Sequence, residues 1–509
     1  MYLQTTNYKL QTNRGFSLVE ALLAISLLSL LVTAFVGAIL YGQGATATTG
    51  ARGRATLLAE EGLEAVRNIR DASFASLVDG TYGLATASGV WTFSGASDTT
   101  GGFTRQITVA SVNVNAKRIT STVTWSQSLQ RTGSVVLDSY LENWMTVGAV
   151  LPGKRIAYYH SGSGDLKYAS CDANCTIAGN WTKVTVDASG DVGQFASLSV
   201  DSGKPRIAYY DNSNKDLKYA ACDSSCTTAS NWTKISIDTA GDVGSYASLA
   251  LDSEKPRIAY YDGGGNKDLK YASCDSSCTT AANWTAVTVD SSGDVGNYAS
   301  LALDGVKPRI AYYEAGGPKD LKYASCDASC TTVANWTKIS VDTSGDVGNY
   351  ASLALDGANP RIAHYDSVNN RDVRYSSCDS NCTTASNWTS VSFDTSGDVG
   401  SYASLRLDSG KPRVSYSDST NNDLKYATCD TSCTTASNWT KVSVDTTGSV
   451  GQYTSIALDS SKSRVSYFDS TNNDLKYATC DTACTTVANW STGSIDTTGN
   501  VGLYTSMNK

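Results

Sequence analysis

From about residue 154 the sequence repeats with a period of 51 or 52 residues, and this repetition restricts the fold more than any other feature. The first cysteine of each unit keeps the register: Cys171, Cys222, Cys274, Cys326, Cys378, Cys429 and Cys480. A repeat this regular is one supersecondary unit copied and packed on its neighbours, because a unit of that size cannot bury an apolar face alone. Each copy holds four short runs rich in β-branched, aromatic and small apolar residues, as at 247–251, 257–261, 269–273 and 284–289. Gly, Asp, Asn and Ser separate them, which is the pattern of strands joined by turns.

Four strands per unit make a propeller blade, and the two ends of the repeat region say how the blades close. The region begins at the R-I-A-Y-Y strand, residues 155–159, with no A-S-L-x-L strand before it, and ends at Tyr504-Thr505-Ser506-Met507, a spare copy of the missing strand. The predicted fold is therefore mainly β: a seven-bladed β-propeller of four-stranded blades over 147–509, its first blade completed by the C-terminal strand. Closure hides the strand edges that an open array would expose. Alternate turns of an up-and-down blade fall on opposite ends. One end collects turns such as 202–205 and the cysteine segments. The other collects loops such as 211–216 and 238–246, rich in Asp, Asn and Tyr. This second end is the expected interaction face, since scaffolds of this kind carry function on loops.

The chain is too long for one ordinary core, so at least one more domain precedes the repeats. With 17% charged residues and a net charge of -8 there is no basic field to hold phosphates, and no nucleic-acid partner is expected. Residues 16–40 form a nearly unbroken apolar run of about 25 residues, long enough to span a bilayer as a helix. Lys9 and Arg14 precede it, so the polar segment 1–15 stays cytoplasmic and everything after the span lies outside. Glu20 sits inside the run, where an ionised carboxylate is costly unless it meets a partner.

The segment Gly15-Phe16-Ser17-Leu18-Val19-Glu20 resembles the prepilin processing motif of type IV pilins and type II secretion pseudopilins. The resemblance implies a leader, 1–15, that a prepilin peptidase removes between Gly15 and Phe16, with methylation of Phe16. It implies that Glu20 pairs with the N-terminal amine of a neighbouring pilin subunit during assembly. It further implies residence in the bacterial inner membrane before assembly, then at the cell surface or in a pilus. Leu58, Leu63, Val66 and Ile69 recur at helical spacing and extend the helix over 16–70. Strand-like runs at 89–93, 103–109, 119–125 and 134–140 predict a small β-sheet head over 71–146, an α+β unit like a pilin head. It lacks the C-terminal disulfide loop of many major pilins, and so is more similar to a minor pilin or pseudopilin.

The 14 cysteines form seven C-x3-C pairs: Cys171 and Cys175, Cys222 and Cys226, Cys274 and Cys278, Cys326 and Cys330, Cys378 and Cys382, Cys429 and Cys433, Cys480 and Cys484. Even, clustered usage outside the cytoplasm points to local disulfides. A zinc site needs four ligands, and the two histidines, His160 and His364, do not recur beside these pairs. The recurring Trp181, Trp232, Trp284, Trp336, Trp388, Trp439 and Trp490 are read as apolar anchors between blades, with stacking on sugar rings as the alternative. Each lies in an N-W-T or N-W-S sequon, which leaves glycosylation open. On the acid-rich face Asp187, Asp191, Asp211, Asp216, Asp238, Asp242, Asp290, Asp294, Asp342, Asp346, Asp394 and Asp398 are the candidate binding residues. Calcium ligation and Asx-turn capping are the two readings of the pairs that end each unit. Ser449 and Asn500 replace the second Asp in the last two units, so such a site is not uniform around the ring.

No singular Ser-His-Asp or Cys-His set stands out, and catalysis is not expected. Near-identical blades fit multivalent binding. The expected function is that of a minor-pilin-like surface protein presenting a propeller for adhesion or ligand binding, a glycan among the candidates. A pseudopilin of type II secretion and a membrane-tethered propeller enzyme acting on surface polysaccharide are the alternatives.

Overall fold

The computed structural model describes residues 18–87, 89–113, 116–128, 131–142, 153–368 and 370–508. The chain divides into two compact units, Met1–Val150 and Leu151–Lys509.

In the first unit a 55-residue helix, α1 (Leu18–Ala72), packs its second half on an antiparallel sheet. The sheet comprises β1 (Gly80–Ala87), β2 (Val90–Ser94), β3 (Asp98–Thr100), β4 (Phe103–Asn113), β5 (Ala116–Ser128) and β6 (Arg131–Glu142), in the order β2-β1-β4-β5-β6 with β3 on β4. Ala55, Ala59, Leu63, Val66 and Ile69 of α1 bury against Ile107, Val109, Ile119, Val123 and Trp125. Small residues on this stripe let the helix come close: a Cβ on Gly62 would stand 2.7 Å from Ser121 Oγ. Arg105 lies buried under the helix, held by Glu61 at 3.1 Å and Asp98 at 3.0 Å.

The predicted helix and the strands β2, β4, β5 and β6 are present, while β1 and β3 were not foreseen. β1 reads Gly-Thr-Tyr-Gly-Leu-Ala-Thr-Ala, with little β propensity; pairing with β2 and β4 on its two sides makes it a strand. Gly15 and Phe16 lie outside the described residues, and of Glu20 only the helical backbone is described. Leu27, Leu28, Leu30, Leu31, Val32, Phe35 and Val36 of α1 are all exposed. Among the described residues no helix is long and apolar enough to cross a membrane, and the span expected over 16–40 includes residues outside that set.

The second unit is a ring of seven antiparallel four-stranded sheets, a seven-bladed β-propeller. Blade 2 shows the plan: an inner strand Val192–Asp201, then Lys204–Asp211, Asp216–Ala221 and Thr233–Asp238. Blades 3 to 7 follow in order, their inner strands starting at Val243, Val295, Val347, Val399 and Val450. Blade 1 takes its inner strand from the other end of the unit, Val501–Met507, which pairs with Lys154–His160 through Met507 opposite Ile156 and Val501 opposite His160. The apolar core runs through the seams between blades. One cluster joins Tyr168 and Val186 of blade 1 to Leu198, Ile207 and Trp232 of blade 2.

All seven C-x3-C pairs are disulfides, with Cα atoms 5.7–5.8 Å apart. Each staple is shared with neighbouring side chains. Arg206 donates to the Cys222 carbonyl at 2.7 Å and to Asp223 at 2.6 Å, and the Trp232 indole donates to the Cys226 carbonyl at 2.9 Å. The Trp232 ring meets Tyr168 of the preceding blade edge-on, with centroids 5.1 Å apart, so it packs in the seam.

The loop expected over 238–246 is shorter than its sequence implies, because the inner strand already begins at Val243. Its register against the second strand shifts between Val243 and Ser248, a bulge that carries Gly244 at φ +110° and Tyr246 at φ +52°. A Cβ on Gly244 would lie 2.7 Å from Leu217 Cα, which is why V-G recurs at this point in every blade.

Candidate functional site

The acidic residues predicted for the interaction face are largely engaged within the fold. Asp187, Asp238, Asp290, Asp342 and Asp394, together with Asp445 and Asp496, end the outer strands and are buried. Each reaches across a seam to the next blade. Asp187 accepts from the Tyr209 hydroxyl at 2.8 Å and from Lys218 at 2.7 Å; Asp445 accepts from Tyr467 at 2.7 Å and Lys476 at 2.5 Å. Asp496 closes the circle on Tyr158 at 2.6 Å and Lys167 at 3.4 Å. In one seam His364 and Arg374 stand in the Tyr and Lys places, with Arg374 3.0 Å from Asp342. Burial works against the charge of Asp290, but hydrogen bonds from Lys322, Ser292 and Tyr312 outweigh it and hold the carboxyl down at about 2.

The second acid of each pair is half-buried and holds a different tyrosine. Asp191, Asp242, Asp294, Asp346 and Asp398 accept from Tyr159, Tyr210, Tyr261, Tyr313 and Tyr365 at 2.5–2.7 Å. Asp211 caps its own turn through the amides of Ser213 and Asn214, both at 3.0 Å, and Asp216 is half-buried opposite it. Among the described residues no three His, Cys, Asp or Glu side chains converge to hold a metal ion.

Two rings surround the axis. The bulges bring Phe195, Tyr246, Tyr298, Tyr350, Tyr402, Tyr453 and Tyr504 into a closed circle with neighbouring centroids 4.5–4.7 Å apart. They line a cavity of about 180 Å³ together with a layer of alanines and with Thr454 and Thr505. Deeper along the inner strands runs a belt of serines, each accepting from a backbone N–H of the next blade: Leu249 N to Ser197 Oγ at 2.9 Å, and so around to Leu198 N on Ser506 Oγ at 3.0 Å. The belt satisfies amides on an inner strand edge that has no sheet partner. The repeated A-S-L signal was visible in the sequence, but its partner lies one blade away.

On the opposite end, where the cysteine segments lie, clefts of one chemistry recur between blades. Arg206, Tyr219 and Asp223 of blade 2 face Ser253, Glu254 and Cys278 of blade 3 across about 370 Å³. Arg257, Tyr271 and Asp275 line a cleft of about 250 Å³ toward blade 4, and Arg361, Tyr375 and Asp379 one of about 260 Å³ toward blade 6. The arginines are buried and held, while the side chains of Asp223, Asp275 and Asp379 are 76%, 77% and 83% exposed.

The second unit thus belongs to the closed, seven-bladed β-propellers, preceded in the chain by a helix-and-sheet unit. The N-terminus is of prepilin type: residues 10–36 match the prokaryotic N-terminal methylation motif, which implies processing by a prepilin peptidase and fits a membrane-anchored surface or pilus protein. No curated protein matches the chain. Among solved structures it is similar to AofleA from Arthrobotrys oligospora, at 11% identity and TM-score 0.39 over 62% of this chain and 88% of that one. It is also similar to hydrazine synthase from Kuenenia stuttgartiensis, at 10% identity and TM-score 0.42 over 63% and 94%. A third is a puromycin-hydrolyzing peptidase of Mycobacterium tuberculosis, at 8% identity and TM-score 0.40 over 67% and 53%. Likenesses at this level say nothing about ligand or activity.

Proposed function

We propose that the chain is a minor-pilin-like subunit of a type IV pilus whose propeller binds a glycan at or beyond the cell surface without turning it over. The observation that supports this best is the recurrence of the Arg-Tyr-Asp cleft from blade to blade. Exposed carboxylates and loop hydroxyls beside a tyrosine suit a polyhydroxylated ligand. Repetition lets several weak sites act on one polymer, so avidity grows without new contacts. The run of exposed leucines, valines and phenylalanine on α1 fits a helix covered by lipid before assembly and by neighbouring pilin helices afterwards.

The propeller unit, Leu151–Lys509, is expected to retain glycans on an array and to leave them uncut; turnover of a bound sugar would instead make it an enzyme. Recovery of the chain in sheared surface filaments supports a pilus subunit, and its retention in the envelope of a secreting cell would favour a pseudopilin. Mass spectrometry of the mature N-terminus should find methylated Phe16; an N-terminus still at Met1 in cells with the peptidase overturns the pilin reading.

A further inference from the structure

The aromatic circle at the axis is closed in its packing and open in its hydroxyls. Centroids 4.5–4.7 Å apart are too close for rings lying side by side, so each ring turns its faces to its neighbours and an edge to the axis. Interplanar angles of 46–58° match the rotation from one of seven blades to the next. The π faces are therefore covered, and the cup presents phenol oxygens. These lie within hydrogen-bonding reach of one another in series, Tyr246 with Tyr298, Tyr298 with Tyr350 and on to Tyr504, and the series breaks at Phe195. A hydroxyl that gives its one proton to the next keeps only acceptor lone pairs for a group on the axis. Thr454 and Thr505, the other polar residues of the lining, turn their hydroxyls to Ser415 and Ser466. Among the described residues no cationic side chain lines the cup.

The surroundings of the cup are acidic. It lies where the loops of the acid-rich end join the inner strands, and there blade 3 alone sets Asp242, Asp262, Asp268 and Asp290 against Lys267 and Lys270. Asp294, Asp346 and Asp398 each have a cation, Lys267 at 3.0 Å, Lys319 at 2.9 Å and Arg371 at 3.1 Å. Among the described residues Asp191 and Asp242 have none. Gly164 takes the place of the cation beside Asp191, and Lys215 turns away from Asp242 to Asn212 Oδ1 at 2.8 Å. Asp191 and Asp242 stand four residues before Phe195 and Tyr246, so the uncompensated charge and the gap in the hydroxyl series fall on the same side of the circle. Carboxylates around a low-dielectric mouth focus a negative potential into it.

A cup lined with acceptors under a negative field takes a positively charged donor and refuses an anion. We propose that it binds one primary ammonium group, that of an amino sugar at the end of a glycan chain. Its three N–H donors meet the phenol oxygens, and the carbon skeleton rests on Phe195. A volume of about 180 Å³, the room of roughly six waters, holds such a head group but no chain, and the axis admits one per propeller. The amino sugar rests on the glycan reading above; capture of an ammonium group does not.

The test titrates the full chain in detergent, by calorimetry at constant ionic strength, with methylammonium, glucosamine and N-acetylglucosamine. Phe195 already holds a place in the circle, so Tyr298→Phe with Tyr350→Phe keeps the packing, and Asp242→Asn keeps an acceptor for Tyr210. Methylammonium and glucosamine should bind the parent saturably and at least about tenfold more weakly in the double variant, which melts with the parent. Asp242→Asn should weaken both as well. N-acetylglucosamine, the same ring without the charge, should not bind the cup. Methylammonium bound without glucosamine keeps the ammonium site and overturns the amino sugar. The cup is overturned by no saturable methylammonium binding to the parent, by equal binding in the double variant, or by N-acetylglucosamine bound as tightly as glucosamine and lost with it. Ammonium binding that the double variant loses, together with an empty glycan array, leaves the cup standing and removes the glycan reading; glycans retained without ammonium binding do the reverse.

Discussion

The Tyr260 hydroxyl of blade 3 donates to Asp238 Oδ2 of blade 2 at 2.6 Å, and Lys270 reaches the same oxygen at 2.5 Å. Blades are separate sheets with no backbone ladder between them, so this contact and its equivalents, with the serine belt, are the polar fastening of each seam. Asp238→Ala leaves Lys270 without its acid in a site where its side chain is 12% exposed. Loss of one member of such a pair is expected to cost about 3–5 kcal/mol, against about 1–3 kcal/mol for Tyr260→Phe. Urea unfolding of the propeller unit measures both, and equal small losses would show that the buried acid does not fasten the seam, leaving it to apolar packing and the serine belt.

The seam with His364 behaves differently with pH. Burial holds the imidazole down at about 3, Asp342 pulling the other way, whereas an unfolded histidine titrates near 6.5. Between these values the unfolded chain takes up a proton that the fold refuses, so stability falls as pH drops from about 6.5 toward 3. Asp290, held at about 2, contributes stability that is complete above about 4 and lost as pH falls through about 2. His364→Tyr, which restores the residue of the other seams, should flatten the loss between pH 6.5 and 4 and leave the steeper loss below it. Melting temperatures across that range decide the point; parallel curves for the two proteins refute it.

The ring and its closure were legible because a seven-fold repeat with a spare terminal strand has few other solutions. The use of the acids was not, because it depends on which blade a side chain meets. One clue was nonetheless present in the repeats. Where Asp191 and its equivalents become Ser449 and Asn500, the tyrosines that they hold become Ser417 and Phe468, so donor and acceptor vanish together. The aromatic circle was hidden for another reason: Tyr246 sits among turn residues in sequence, and only the bulge at Gly244 aims it at the axis. Likewise β1 owes its conformation to two neighbouring strands and shows little of it locally.

That paired disappearance makes a prediction of its own. Ser417→Tyr alone places a hydroxyl with no acid, and Ser449→Asp alone an acid with no tyrosine. Made together they should rebuild the contact that Tyr365 and Asp398 make at 2.7 Å. A double-mutant cycle is expected to show about 0.5–1.5 kcal/mol of favourable coupling. Additive effects would mean that the hydrogen bond is too solvated to count.

Glycine replacements separate conformational strain from close approach. Gly203 has φ +79° with open space around its Cβ position, so Gly203→Ala should cost only the left-handed penalty, about 1–2 kcal/mol. Gly244→Ala adds a contact with the Leu217 backbone at 2.7 Å, and overpacking adds about 1–3 kcal/mol more. Chemical denaturation should therefore rank Gly244→Ala as the more damaging, and the reverse order would place the strain elsewhere.

The ring closes through a strand that is last in sequence. Val501–Met507 gives blade 1 its inner edge, sends Tyr504 into the aromatic circle, supplies Ser506 to the belt and buries Met507 completely. Deleting residues 501–509 removes all four at once and bares the edge of Lys154–His160 along with the apolar seam around Ile156. An exposed apolar strand edge recruits other chains, so the truncated propeller should self-associate where the whole one stays monomeric. A synthetic peptide of 501–508 supplied in trans should compete for that edge and restore the monomer, as read by light scattering. If the truncated unit stays monomeric and binds no peptide, the other six blades close without it and the terminal strand is dispensable.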